Sequence, residues 1–182
     1  MPTDKKIIEC VPNFSEGRNL DIIDKIASAV KSTQNVKLLN VEPDKDYNRT
    51  VITFAGEPSG VKEAAFNAIS TASELIDMSR QKGEHPRIGA TDVCPIIPVA
   101  NATREECVKL ADELGSEVGE KLGIPVYLYE DAARSEERRN LENIRKGEYE
   151  GLEQKLRDWI PDYGPAEYND KVRKSGATVI GA

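Results

Sequence analysis

The chain is short of aromatic residues, has almost no histidine and has no paired cysteines, and each shortage narrows its function. Aromatics make up 5% of 182 residues, too few for a platform on which successive bases stack. Lys and Arg number 25 against 32 Asp and Glu, a net charge of −7. No long basic stripe breaks that balance, so nucleic acid is not an expected partner. An acidic chain still binds an anion where a few Lys and Arg are focused in one cleft. Cys10, Cys94 and Cys107 stand far apart, with no CxxC and no metal-ligand spacing. They read as reduced core residues in a reducing compartment, and no metal is expected. No apolar run approaches the ~20 residues of a membrane span. The opening "MPTDKKIIEC" passes straight from charge into a short apolar run, unlike a secretory leader. The cytoplasm is the expected compartment, with no membrane partner.

What is present fits one domain or two small ones, with 38% hydrophobic residues and enough length to bury a sizeable core. Residues 6–14 read as a first strand. Ile22, Ile23, Ile26, Ala27 and Val30 then recur at helical spacing. Residues 36–44 and 49–58 read as two strands around a polar turn, making 36–55 a hairpin. A second helix is expected over 59–80, with Val61, Ala64, Ala65, Ala68, Ile69, Ala72, Leu75 and Ile76 inward. Residues 91–100 read as a fourth strand whose Pro95 and Pro98 argue for an edge or a bulge. Thr103 and Glu106 form a capping box for the next helix, which Gly123 ends; residues 124–131 read as a fifth strand. From Ala132 the chain becomes densely charged, and two short surface helices are expected. Residues 159–175 read as a loop because of Pro161, Gly164 and Pro165. The final "GATVIGA" looks like a strand starting, so more chain is expected beyond it.

The order β-α-β-β-α-β followed by α-β matches the ferredoxin-like split βαβ pattern with an appended αβ unit. The fold class expected is α/β (α+β), a mixed sheet with helices on one face. Apolar positions beyond strict alternation call for a cover on the other face as well.

Several segments carry a resemblance: "ECVPNFSEGRN", "NRTVITFAG", "LIDMSRQKGEHPRIGATDVCPIIPV", "IRKGEYEGL", "WIPDYGP" and "GATVIGA". In register over almost the whole chain, they resemble the N-terminal half of the formiminotransferase domain of the formiminotransferase-cyclodeaminase family. The long, unusual "KGEHPRIGATDVCP" makes the likeness specific. The resemblance implies transfer of a formimino group from N-formimino-L-glutamate to tetrahydrofolate, its co-substrate, in histidine degradation. It implies two similar α/β subdomains with folate between them. On it, residues 1–182 are the N-terminal subdomain, and the C-terminal one is absent from this chain. It makes His85 the catalytic residue and maps a folate-contacting segment onto 164–176, from Gly164 and Pro165 to Ser175 and Gly176. Residues 166–175 depart from the family pattern by being longer and more basic.

The chemistry asks for one group that takes a proton from the attacking nitrogen and gives one to the departing nitrogen. Histidine suits that near neutral pH. His85 is the only one in the chain; a bare structural hydrogen bond is the alternative, which the flanking motif disfavours. Arg87 is a candidate to hold a substrate carboxylate, with a surface salt bridge equally open. Glu84 either orients the imidazole or is simply solvated, the second slightly favoured. Lys82 and Arg80 supply positive potential. For Asn48 and Arg49, reaching the cleft and closing a turn are equally open. Ser15 is read as a helix cap before a substrate contact. Trp159 and Tyr163 either pack on a pterin or, more commonly for lone loop aromatics, anchor the loop. Lys171, Arg173 and Lys174 are candidates for the anionic tail of a folate.

Three functions compete. The first is a glutamate formimidoyltransferase-like enzyme, a one-carbon transferase. The second is an enzyme acting on 5-formyltetrahydrofolate. The third is a folate-binding or interaction module without turnover of its own. A C-terminal formiminotransferase subdomain or a second chain is the expected partner, in a dimer or larger assembly, because a sheet covered on one face leaves an apolar surface.

Overall fold

The computed structural model describes residues 4–182; the first three residues of the stretch judged unlike a leader lie outside them. The first strand is interrupted. β1 (Ile7–Cys10) and β2 (Asn13–Phe14) are separated at Pro12, which has no N–H to give a ladder. The Pro12 carbonyl still accepts from Ile52 N, and Val11 N donates to Pro95 O, so the two pieces run on as one line.

α1 (Leu20–Lys31) is capped by Asn19, whose side chain accepts from Ile22 N. Ser15, expected as the cap, instead donates its hydroxyl to Gly89 O at 2.7 Å. Its distance from the helix is set by Glu16, whose carboxylate already holds the N–H groups of Arg18 and Asn19. β3 (Val36–Asp44) and β4 (Arg49–Gly56) form the expected hairpin, paired from Val36↔Gly56 to Asp44↔Arg49 with a shift of register between Leu38 and Asn40. α2 (Pro58–Leu75) ends short of the expected Arg80. A turn follows in which the Asp77 carboxylate accepts from Ser79 N and Ser79 Oγ, a local alternative to continuing the helix. α3 (Arg104–Leu122) has both halves of its Thr103/Glu106 box and ends at Gly123 in the left-handed region.

β5 (Thr91–Ala100) is not an edge strand. It lies between β1/β2 on one side and β7 (Thr178–Gly181) on the other. Its prolines are tolerated because the ladder is irregular there: the register with β1 shifts between Ile8↔Pro98 and Ile7↔Ala100, and Pro95 faces the break before β2. β6 (Val126–Tyr129) does not pair with β5 either. The last strand, β7, is inserted between them and runs parallel to both. The spatial order is therefore β3-β4-(β1/β2)-β5-β7-β6. The first four positions are antiparallel throughout and reproduce the split βαβ arrangement.

α1, α2 and α3 lie together on one face, over Ile8, Cys10, Ile52, Phe54, Cys94 and Ile96. The charged region forms three short helices, not two: α4 (Glu136–Arg139), α5 (Leu141–Arg145) and α6 (Leu152–Asp158). The stretch read as loop contains a fourth, α7 (Asp170–Ser175), capped by Asn169; the breakers Pro161, Gly164 and Pro165 all precede it. α5, α6 and α7 cover the opposite face of β5-β7-β6. There Val93, Tyr127 and Val179 alternate with the residues facing the long helices and pack on Ile144, Leu152, Leu156 and Val172. Over the rest of the sheet that face is open. Ile7, Val51 and Ala55 are half-buried, and Ile97 and Val99 are 39% and 59% exposed.

The insertion of β7 depends on a backbone crossing. Gly89 pairs with Gly176 in an isolated antiparallel bridge, flanked by Ala90 N→Ser175 O at 2.7 Å and Ala177 N→Ile88 O at 3.1 Å. A Cβ on Gly89 would lie 2.0 Å from Ala177 O, and Gly176, at φ +67°, would bring one to 2.4 Å from Gly89 Cα. Gly89→Ala is expected to destabilise the fold by about 1–3 kcal/mol or more, the usual cost of overpacking. Urea denaturation checks it, and unchanged stability would mean that the crossing is not under steric constraint.

Candidate functional site

The ends of β2 and β3 and the starts of β4, β5, β6 and β7 meet at one end of the sheet. The segment carrying His85 crosses that end, between α2 and β5. It is rich in Gly and Pro, but other loops hold it along its length. Asn48, buried and in the left-handed region, accepts from Gly17 N at 2.9 Å and donates to Lys82 O at 2.8 Å. Gln81 Nε2 donates to Asn48 O. Asn48 thus joins three loops. Beyond His85, Tyr149 N donates to Arg87 O, and the glycine crossing fixes residues 88–90.

His85 is half-buried. Its pKa is pushed down from 6.5 to about 4, first by burial and then by the positive charges of Arg145, Arg49 and Arg87, against a hydrogen bond with the Pro86 main chain. It is therefore a neutral base at pH 7.

Arg87 is buried and its fork is engaged. Nη1 and Nη2 donate to the two oxygens of Glu150 at 2.8 and 2.7 Å, Nη1 also to Glu148 at 3.0 Å, and Nε to Gln81 Oε1 at 2.8 Å. The hydrogen bond to Glu150, more than any other influence, raises the Arg87 pKa. The expectation that Arg87 holds a substrate carboxylate meets a guanidinium already occupied by this chain's own carboxylates, in salt bridges between a buried arginine and the more exposed side chains of Glu148 and Glu150. Arg145 pairs with Asp92, whose other oxygen accepts from Ile88 N at 2.9 Å. Burial raises the Asp92 pKa, and the pull of Arg145 only partly offsets it. Arg49 donates a long 3.4 Å bond to Asn13. Glu84 and Lys82 are exposed, and Arg80 is exposed beside Asp77. Lys82, Gly83, Arg87, Gly147, Glu148 and Glu150 line a hollow of about 460 Å³. A wider one of about 860 Å³ lies beside Gly17 and Asp44, and the imidazole lines neither.

The segment 164–176 reaches this end of the sheet in two places. Gly164, at φ +80°, is pressed against the Ile124 carbonyl at the start of β6, followed by Pro165. Ser175, buried, donates to Lys171 O, and Gly176 meets Gly89 beside the histidine segment. Lys174 Nζ donates to Glu74 O at 2.6 Å and Lys171 Nζ to Ser73 Oγ at 3.4 Å, so both lie against the end of α2, while Arg173 is near Asp170. Trp159 and Tyr163 anchor their loop: the Trp159 carbonyl accepts from Tyr127 OH, and Tyr163 OH donates to Asp112. Lys155 and Arg134 stand over the two rings at 5.0 and 4.7 Å. Cys10 and Cys94 are buried with their sulfurs 3.5 Å apart, and burial raises the Cys10 thiol pKa. Among the described residues no group of three or more His, Cys, Asp or Glu is placed to hold a metal.

Sequence reading missed Arg145, Asp92 and Glu150. The available signal was position: Asp92 stands at the head of an apolar strand in "GATDVCP", and Arg145 and Glu150 belong to "IRKGEYEGL".

Residues 7–182 match the family described as formiminotransferase domain, N-terminal subdomain. The chain is 50% identical over 179 residues to a formimidoyltransferase-cyclodeaminase from Dictyostelium discoideum and 52% identical to one from Gallus gallus. It is 45% identical to a glutamate formimidoyltransferase from Streptococcus pyogenes. Each alignment takes in 97% of this chain, but the chain spans only 33%, 32% and 59% of those three relatives.

As the only histidine, His85 gives a single imidazole Hε1 signal in a proton NMR titration, and its midpoint is expected at about pH 4. Because its folded pKa lies below the unfolded value, the unfolded chain takes up the proton first. The contribution of His85 to folding stability is therefore expected to fall as the pH drops through 6.5 and to level off below about 4. A midpoint near 6.5 would show that burial and the arginines do not act on the ring.

Proposed function

The chain belongs to the formiminotransferase N-terminal subdomain family, and from that we propose that it supplies the proton-transferring half of a glutamate formimidoyltransferase. The reaction passes the formimino group of N-formimino-L-glutamate to tetrahydrofolate, as in histidine breakdown. The observation that carries the reading is a neutral, half-buried His85 within reach of three arginine charges, inside the motif "KGEHPRIGATDVCP". The names of the relatives, which include glutamate formimidoyltransferase, support it.

N5 of tetrahydrofolate attacks the formimino carbon, and the new N–C bond forms as the C=N π pair moves onto nitrogen. His85, neutral at the start, takes the proton that N5 sheds. The tetrahedral adduct then collapses, the bond to the glutamate nitrogen breaks, and the imidazolium returns its proton to that nitrogen. Its low pKa makes the imidazolium a strong acid for the second step. The surrounding arginines disfavour holding the proton between the steps unless an anionic substrate offsets them. Folate is the co-substrate, bound between this subdomain and a second one. The open sheet face beside β1 and β4 is the natural seat for that second subdomain, on this chain's continuation or on a separate polypeptide. The Ser175–Gly176 end of the segment 164–176 is the part of it nearest the histidine segment.

The test is a turnover assay with tetrahydrofolate and N-formimino-L-glutamate, run with and without a C-terminal formiminotransferase subdomain. His85→Ala, in the assembly that turns over, is expected to lower kcat roughly 10²–10⁴-fold, the usual contribution of general acid–base catalysis, with folate binding kept. Near-normal turnover in that variant would make His85 structural. In sedimentation, the chain alone is expected to self-associate or to bind the C-terminal subdomain. A monomer that turns over by itself would remove the need for a partner.

A further inference from the structure

Of the three arginines whose charges reach His85, only Arg87 has its donors filled. Arg145 gives Nη2 to Asp92, yet its Nε is buried and has no acceptor. Thr91, 2% exposed and next to Asp92 at the head of β5, also has a buried hydroxyl without a partner. Arg49 has no carboxylate partner among the described residues; besides its long bond to Asn13, it stands 5.8 Å from the centre of the Tyr47 ring. A buried N–H of a charged group without an acceptor is costly, so its persistence where a cation without a carboxylate partner also acts on His85 needs a reason. A guanidinium matches a carboxylate in geometry and charge. Asp92 takes only Nη2 of Arg145, so Nη1 is the donor left over for a ligand, with Nε buried behind it.

We propose that Arg49 and Arg145 form a carboxylate-binding pair beside His85 and that it takes the α-carboxylate of the glutamate-derived substrate. This rests on the proposed formimino transfer, and it replaces Arg87 as the substrate's anchor. The choice between the two carboxylates of glutamate follows from bonding. The nitrogen that His85 protonates is attached to Cα, as is the α-carboxylate, whereas the γ-carboxylate lies at the far end of a flexible side chain. A group that grips the α-carboxylate next to His85 therefore also positions the departing nitrogen. The same anion would neutralise the field that keeps the imidazole unprotonated, so the substrate favours its own proton transfer.

The single imidazole signal of His85 reads occupancy directly, using N-formyl-L-glutamate as the probe. The probe and its γ-amide, N-formyl-L-glutamine, are expected to shift that signal; the α-amide, N-formyl-L-isoglutamine, is not. Arg49→Gln and Arg145→Lys are each expected to weaken N-formyl-L-glutamate binding roughly 10–100-fold, the range for a charge-assisted hydrogen bond. Arg145→Lys keeps a cation opposite buried Asp92, and circular dichroism confirms that each variant is folded. Equal response to the α-amide, no response of the native chain to N-formyl-L-glutamate, or undiminished binding in both folded variants would overturn the site. If binding follows the expected pattern but the assembly with a C-terminal subdomain transfers no formimino group, the reading of the function fails and the carboxylate site stands.

Discussion

The approach of Gly89 to Gly176 is the contact on which the rest of this structure depends. Two backbones meet with no room for a side chain on either, and the main-chain bonds on both sides lock the crossing. It brings β7 back between β5 and β6 and so converts an antiparallel ferredoxin-like sheet into a mixed one. It also fixes the end of the histidine segment. Ser15 is drawn into the same junction through Gly89 O and Ala90 O, and α7 is held against the end of α2 through Met78 N→Lys174 O. The strands that form the site end thus take their positions from one steric constraint.

Charge is arranged on that frame against the character of the whole molecule. The chain is acidic overall, yet three arginines converge on one imidazole. Their own partners divide them. Glu148 and Glu150 quench Arg87 and tie it to the loop after α5. Asp92 balances Arg145 from within the core. Arg49 has no such carboxylate among the described residues. The imidazole therefore sits half-buried in a net positive field and stays neutral. A focused cationic spot raises the local concentration of anions even on a protein whose net charge is negative.

Much of this was legible in the sequence because the signals are local. The apolar spacing from Ile22 to Val30 and from Val61 to Ala72 sets helices whatever surrounds them. The Thr103/Glu106 box and Gly123 mark a helix by short-range hydrogen bonding and backbone conformation, and the polar turn between β3 and β4 closes a hairpin. His85 stood out as the only histidine inside a long motif. Local reasoning failed where a local rule was overridden or incompletely applied. Ser15 looks like a cap, but Asn19 lies closer to the helix and Ser15 is used elsewhere. The breakers before α7 say nothing about the residues after Asn169.

The sequence by itself determined the three long helices, the hairpin, the split βαβ order and a single histidine set in a long motif, because each depends on neighbours a few residues apart or on a contiguous motif. Only the tertiary structure decided that proline-bearing β5 is an interior strand, that β7 lies between β5 and β6, and which arginine near His85 is spent and which is free. Those outcomes depend on partners far apart in the chain: Arg87 with Glu150, Arg145 with Asp92, Gly89 with Gly176. The residue types announce charge and flexibility, but whether a fork is filled or a backbone can approach is settled only when distant segments are packed side by side.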